Sequence, residues 1–197
     1  MAIPALISNR IKSNSLEFYD YLIKNKSPVV NSTNTIILGR SIGSGGACYL
    51  AAHKNIRNLA LISPFSTIPN VAADFAGCFG KYLVKEHFNN LEEISNYDGR
   101  LLIIHGKMDE VIAFRHGEQV LEAYKEHKIG KQENPREKLR FVTPSNMTHN
   151  YFDFEKDILD PLKEFSMGMK EEVDFFRRRI PWVISQHIFN HIAFIIR

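Results

Sequence analysis

Three polar residues lie far apart in the chain, each in a setting suited to acyl transfer. Ser41 sits in Gly39-Arg40-Ser41-Ile42-Gly43, directly after the β-branched apolar run Thr35–Leu38 and before a stretch of small residues. This is the G-x-S-x-G pattern in the strand–turn–helix context it requires. A nucleophile on so sharp a turn needs small neighbours, because its backbone is strained and nearby side chains would clash. Gly39 and Gly43 meet that need, and Ser44, Gly45, Gly46 and Ala47 extend it. The Ile42 N–H, at the start of the expected helix, is placed to receive a developing oxyanion, with the helix dipole behind it. An incidental serine in a glycine-rich turn is the bland alternative.

A serine nucleophile needs a histidine base, and the base needs a carboxylate to fix its tautomer. Asp109 follows the apolar run Leu101–His105 and is the expected orienting carboxylate; Glu110 competes with it, and an aspartate capping the next helix is the structural alternative. His149, in Asn146-Met147-Thr148-His149-Asn150, follows the run Leu139–Thr143 and is the expected base. His105 lies in a strand and reads as a packed structural histidine. His53, His116 and His127 lie within or at the ends of helices, and His187 and His191 lie in the tail, so they fit less well.

Those residues must be positioned by an alternation of helices and strands. Helices are expected over Asn14–Asn25, Ser44–Lys54, Val71–Phe88, Arg115–His127 and Phe154–Phe165, the last perturbed by Pro161. Strands are expected at Thr35–Leu38, Asn58–Ile62, Leu101–His105 and Leu139–Thr143, and Ile129–Lys138 reads as a surface loop. Four short apolar strands separated by helices point to an α/β fold with a parallel sheet flanked by helices. Ligands of such sheets sit outside the carboxyl ends of the strands. Ser41, Asp109 and His149 each lie just past a separate strand, so they are expected to converge on one sheet edge.

At this point the sequence resembles a known family. The runs Ile37-Leu38-Gly39-Arg40-Ser41-Ile42-Gly43-Ser44-Gly45, Leu61-Ile62-Ser63-Pro64-Phe65, Leu102 through Ile112, His116-Gly117 and Thr148-His149-Asn150 are similar to those of α/β-hydrolase-domain serine hydrolases. That group includes depalmitoylating acyl-protein thioesterases and serine-aminopeptidase-like relatives. Tyr19-Asp20-Tyr21-Leu22 also fits, and the likeness spans roughly residues 15–165. The chain order Ser41, Asp109, His149 is that of α/β-hydrolases. The resemblance implies Ser41 as nucleophile, Asp109 as acid and His149 as base. It also implies a partial α/β-hydrolase fold, with an acylated small molecule, a lipid or an acyl-protein as substrate. A serine peptidase of the same fold is an open alternative.

The family's sheet normally holds about eight strands. By that resemblance the chain is expected to start at the helix before the fifth, without the loop that supplies a second oxyanion N–H. Loss of one such donor typically costs about 10²–10³ in turnover. The Thr35–Leu38 strand is then expected to have an open edge that invites self-association. Residues 1–167 are expected to form the C-terminal portion of the hydrolase domain, as a fragment, a truncated gene model or an impaired remnant that acts as a binding or membrane-associated module.

Residues 168–197 form a basic and apolar tail, in which Arg177-Arg178-Arg179 precedes Ile184, Ile188, Ile192 and Ile195 on one helical stripe. Three readings compete for it: a core-packing or self-associating helix, an interfacial anchor giving peripheral membrane contact through residues 177–197, or translated non-coding sequence.

Composition narrows the remaining classes. The chain has 197 residues, 44% of them hydrophobic, with 25 basic against 22 acidic side chains. A net charge of +3 is too balanced to imply nucleic acid. No lysine sits where a phosphate loop needs one, and no His/Cys pattern suggests a metal, so no cofactor is expected. Cys48 and Cys78 form no framework, and free thiols favour a cytoplasmic setting.

Overall fold

The computed structural model describes residues 3–26, 35–167 and 193–196. Helix α1 (Ile3–Lys26) leads into β1 (Thr35–Arg40), α2 (Gly43–His53) and β2 (Asn58–Ile62). A helical hairpin of α3 (Ile68–Ala76) and α4 (Gly80–Leu83) follows, then the short α5 (Asn90–Ile94) and β3 (Arg100–Ile104). Helix α6 (Arg115–Gly130), β4 (Leu139–Val142) and α7 (Asp160–Met167) complete the main body, and β5 (Ala193–Ile196) returns to the sheet.

The sheet order is β4-β3-β2-β1-β5. The first four strands are parallel, as expected from their alternation with helices. Strands β1, β2 and β3 alternate their side chains between two buried faces. Ile37, Leu59, Leu61, Leu101 and Ile103 pack with Leu50, Ile94, Val120 and Tyr124 from the helices on one face. Ile36, Leu38, Ala60, Ile62, Leu102 and Ile104 pack on the other face with Ile158, Leu162 and Phe165. Both faces are covered, which is why the strands read as unbroken apolar runs.

The open edge expected at Thr35–Leu38 is corrected. Strand β5 pairs with it antiparallel, from Thr35 opposite Ile196 to Leu38 opposite Ala193. A strand edge offers a row of unpaired N–H and C=O groups, and the last residues of the tail satisfy them. The helical stripe expected through Ile195 is corrected at the same place, since Ala193–Ile196 is strand. Arg177–Arg179, Ile184, Ile188 and Ile192 lie outside the described residues. Among the described residues, no helix is long and apolar enough to cross a membrane.

Two other elements differ from expectation. The helix expected over Val71–Phe88 breaks at Gly77, whose φ of 68° no helix accommodates. The final helix opens as a wide π-turn over Phe154–Leu159 before α7. Pro161 lacks the N–H that a regular helix would return to the Asp157 carbonyl.

Candidate active site

Ser41 is the first residue past β1, and its φ is +51°. That left-handed backbone is uncommon for a residue with a side chain. It persists because the surroundings leave no other path. A Cβ on Gly39 would lie 2.6 Å from the Ala47 Cβ and 2.8 Å from the Gly43 carbonyl oxygen, so β1 and α2 meet almost backbone to backbone. The Ser41 N–H donates to the Ile62 carbonyl at 3.0 Å. From below, the Ser44 hydroxyl donates to the Ser41 carbonyl at 2.6 Å. The fully buried Asn90 amide in turn donates to Ser44 Oγ at 3.0 Å and to the Phe65 carbonyl at 2.8 Å. Ile42 heads α2 and is exposed.

The loops after β3 and β4 are bound to each other. Lys107 N–H donates to the Pro144 carbonyl at 3.1 Å, and Met108 N–H donates to the Met147 carbonyl at 3.2 Å. Gly106 permits this crossing, because a Cβ there would fall 2.1 Å from the Met147 carbonyl oxygen. The Asp109 carboxylate folds back over its own loop, accepting the Val111 N–H at 3.0 Å and the Ile112 N–H at 2.8 Å.

The structure brings the three expected residues into one row. Asp109 accepts from His149 Nδ1 at 2.9 and 3.0 Å, and Ser41 Oγ lies 3.0 Å from His149 Nε2. A carboxylate only accepts, so the proton of the imidazole is on Nδ1 and Nε2 accepts from the serine hydroxyl. Burial pushes the Asp109 carboxyl pKa up. The hydrogen bonds from His149 and the Ile112 N–H, with a smaller contribution from Ser63, outweigh it and leave the group below its ordinary value. Asp109 is therefore an anion at neutral pH. In such a row a serine hydroxyl can lose its proton to the histidine as it attacks, while the carboxylate stabilises the imidazolium.

The neighbours sort themselves by contact. Glu110, the competing carboxylate, accepts the backbone N–H of His149 at 3.2 Å rather than its ring. His105 is buried beneath the Asp109 loop, its Nε2 donating to the Ile112 carbonyl at 2.9 Å. Arg40 was not singled out from sequence. Its guanidinium is buried, donates to the His149 carbonyl and lies 5.6 Å from the Phe152 ring centre. It thereby ties the loop that carries His149 to the residue before Ser41. No local pattern reveals such a contact, since its partner is 109 positions away. Gly39, in β1, and Gly43, the first residue of α2, flank the turn at Ser41. Among the described residues, no group of three or more His, Cys, Asp or Glu side chains could hold a metal ion.

The chain matches no protein-family model. It is 38% identical over 88 residues to human α/β-hydrolase domain-containing protein 17B, a stretch covering 45% of this chain and 30% of that protein. The protein of the same name from Xenopus laevis is 36% identical over the same length. This chain thus matches 30% of the length of these curated relatives. Among solved structures, Pyrococcus horikoshii acylaminoacyl peptidase superposes with a TM-score of 0.57 at 13% identity, over 85% of this chain and 30% of that one. The esterase domain of a Rhodothermus marinus protein gives 0.54 at 11% identity, over 85% of this chain and 80% of that one. The described chain has part of the α/β-hydrolase fold, four parallel strands with a fifth antiparallel strand on the β1 edge, and its sequence is similar in part to α/β-hydrolase domain-containing protein 17B.

Proposed function

We propose that this chain carries the reacting groups of a serine hydrolase that cleaves acyl esters or thioesters through a covalent acyl-enzyme. The observation that carries the reading is the placement of Ser41 Oγ. It stands on a left-handed turn, 3.0 Å from a histidine whose other nitrogen is held by a buried carboxylate.

In this reading Ser41 Oγ attacks the acyl carbonyl carbon and its proton passes to His149 Nε2. The carbonyl oxygen becomes an oxyanion near the Ile42 N–H at the head of α2. His149 then returns the proton to the departing alcohol or thiol, leaving Ser41 acylated. Water attacks the acyl-enzyme with His149 again as base, and Ser41 is regenerated. Asp109 remains ionised throughout and holds the imidazole with Nε2 toward the serine. The substrate class is an acylated small molecule, a lipid or an acyl-protein. The likeness to protein 17B supports a hydrolase, the geometry of the row suits acyl transfer, and the preference for an ester or thioester rests on the resemblance to acyl-protein thioesterases.

The reading is tested by mixing the chain with a p-nitrophenyl ester or an acyl thioester, quenching in acid and mapping the adduct by mass spectrometry. An initial burst of alcohol or thiol release, with the acyl group on the Ser41 peptide, is expected. Acyl transfer that survives Ser41→Ala would contradict it.

A further inference from the structure

The helical hairpin after β2 is packed inside out for a surface that faces only water. Where α3 and α4 meet, the contact is made by small residues. A Cβ on Gly80 would lie 2.2 Å from the Ala72 carbonyl oxygen and 3.1 Å from the Ala73 Cα. Gly77, at φ 68° and ψ −169°, turns the chain between them in a region essentially closed to other residues. The large apolar side chains lie outside. Phe75, Phe79, Tyr82 and Leu83 are between 68% and 78% exposed. A cluster of this kind marks an interaction surface.

Two exposed lysines, Lys81 and Lys85, flank it, with Lys81 Nζ 5.1 Å from the Tyr82 ring centre. Of the two acids of the segment, Asp74 is ion-paired with Arg115 and His116, and Glu86 folds onto the backbone that follows it, accepting the N–H groups of His87 at 3.1 Å and Phe88 at 3.2 Å. The area is also small. Four such side chains offer on the order of 600 Å², short of the roughly 800 Å² that each partner buries in a stable protein complex. Aromatic rings with lysines that can reach past them are suited to the boundary between lipid headgroups and acyl chains.

We propose that this hairpin seats the protein on an anionic lipid surface. Phe75, Phe79, Tyr82 and Leu83 enter the headgroup–acyl boundary, and Lys81 and Lys85 meet the phosphates. Strands β1 and β2 are parallel neighbours, so Ser41 and the hairpin leave the same sheet edge. Seating the hairpin therefore brings that edge toward the lipid. The inference is independent of the hydrolase reading, because seating needs no bond to break.

The chain carries its own reporter. Cys78 is exposed at the hairpin turn, and the second cysteine, Cys48, is buried. An environment-sensitive dye on Cys78 is titrated with phosphatidylcholine vesicles containing phosphatidylserine. A saturable blue shift is expected, with quenching by lipids that carry a nitroxide high on the acyl chain. Phe79→Ser with Leu83→Ser should weaken partitioning at least about tenfold. Lys81→Gln with Lys85→Gln should weaken it several-fold, on the order of the effect of raised salt. Circular dichroism matching that of the unmutated chain ties these losses to the surface rather than to unfolding. No shift or quenching with the unmutated chain would overturn the proposal. So would equal binding to uncharged vesicles, or a dye shift that follows protein concentration without lipid, which would assign the surface to a second copy of the chain.

Discussion

The molecule contains two Ser–His–Asp rows, and they differ in nearly everything except their residue types. In the first, Ser41 is half-buried on a strained turn and faces Nε2 of His149, whose Nδ1 is held by Asp109. In the second, Ser66 Oγ lies 2.8 Å from His116 Nδ1, and His116 Nε2 donates to Asp74 at 2.8 Å. Ser66 is fully buried, its own N–H points at His116 Nδ1 from 3.3 Å, and the Asn70 amide donates to its hydroxyl at 3.1 Å. No carbonyl carbon can approach it. The second row is a brace that ties α3 to the start of α6. On the proposed reading, residue types alone do not make a nucleophile; access and backbone geometry set Ser41 apart from Ser66.

The electrostatics separate along the same line. Burial, aided by Arg115, pushes the His116 pKa down to about 4 against a weaker pull from Asp109. His116 therefore stays neutral under ordinary conditions and cannot serve as a base that cycles through its cation near neutral pH. A histidine base earns its rate from a proton that comes and goes near the working pH.

The comparison is broken most severely at Asp109. Asp109→Asn removes the carboxylate that orients His149, and hydrolysis should fall by about 10⁴ in kcat. The corresponding change in the other row, Asp74→Asn, should leave kcat within about twofold, because no reacting atom is near. Steady-state kinetics on a soluble ester reads both.

A smaller loss is expected at Arg40. Arg40→Met frees the His149 carbonyl from its anchor and loosens the base by a fraction of an ångström. A fall in kcat of roughly 10–100-fold with little change in KM is expected. Retention of most activity in Arg40→Lys would mark the contact as an anchor for the loop.

The smallest effect lies in stability. The folded pKa of His116 is about 4, below the ordinary value near 6.5. Between those two values the unfolded chain holds a proton that the folded chain refuses. Stability should therefore fall as pH drops through this window, by up to about 1.4 kcal/mol per pH unit. His105, also shifted down by burial, acts in the same direction. His116→Gln should cost about 1–2 kcal/mol at pH 7 and flatten that slope, as urea unfolding at several pH values would show.

Much of this was legible from sequence, for reasons that differ by element. The four parallel strands were readable because burial on both faces leaves continuous apolar runs, such as Leu59 through Ile62. The residues of the first row were readable because each follows a strand and the turn at Ser41 needs glycines. The fifth strand was not. Ala193-Phe194-Ile195-Ile196 suits a helix stripe or a strand equally well, and only an unpaired edge 155 or more residues earlier decides. The Arg40 anchor and the second row were hidden for the same reason. Arg40 meets His149, Ser66 meets His116 and Asp74 meets Arg115 only after the chain has folded. His116 looked unsuited to act as a base because it lies on a helix, and its contacts give that reading a physical cause.

The central claim is that access and turn geometry make Ser41 reactive while Ser66, with partners of the same residue types, is inert. A fluorophosphonate probe followed by peptide mapping tests it most directly. The account predicts an adduct on Ser41, none on Ser66, and no labelling of either row in Ser41→Ala. An adduct on Ser66, or labelling undiminished by Ser41→Ala, would contradict it.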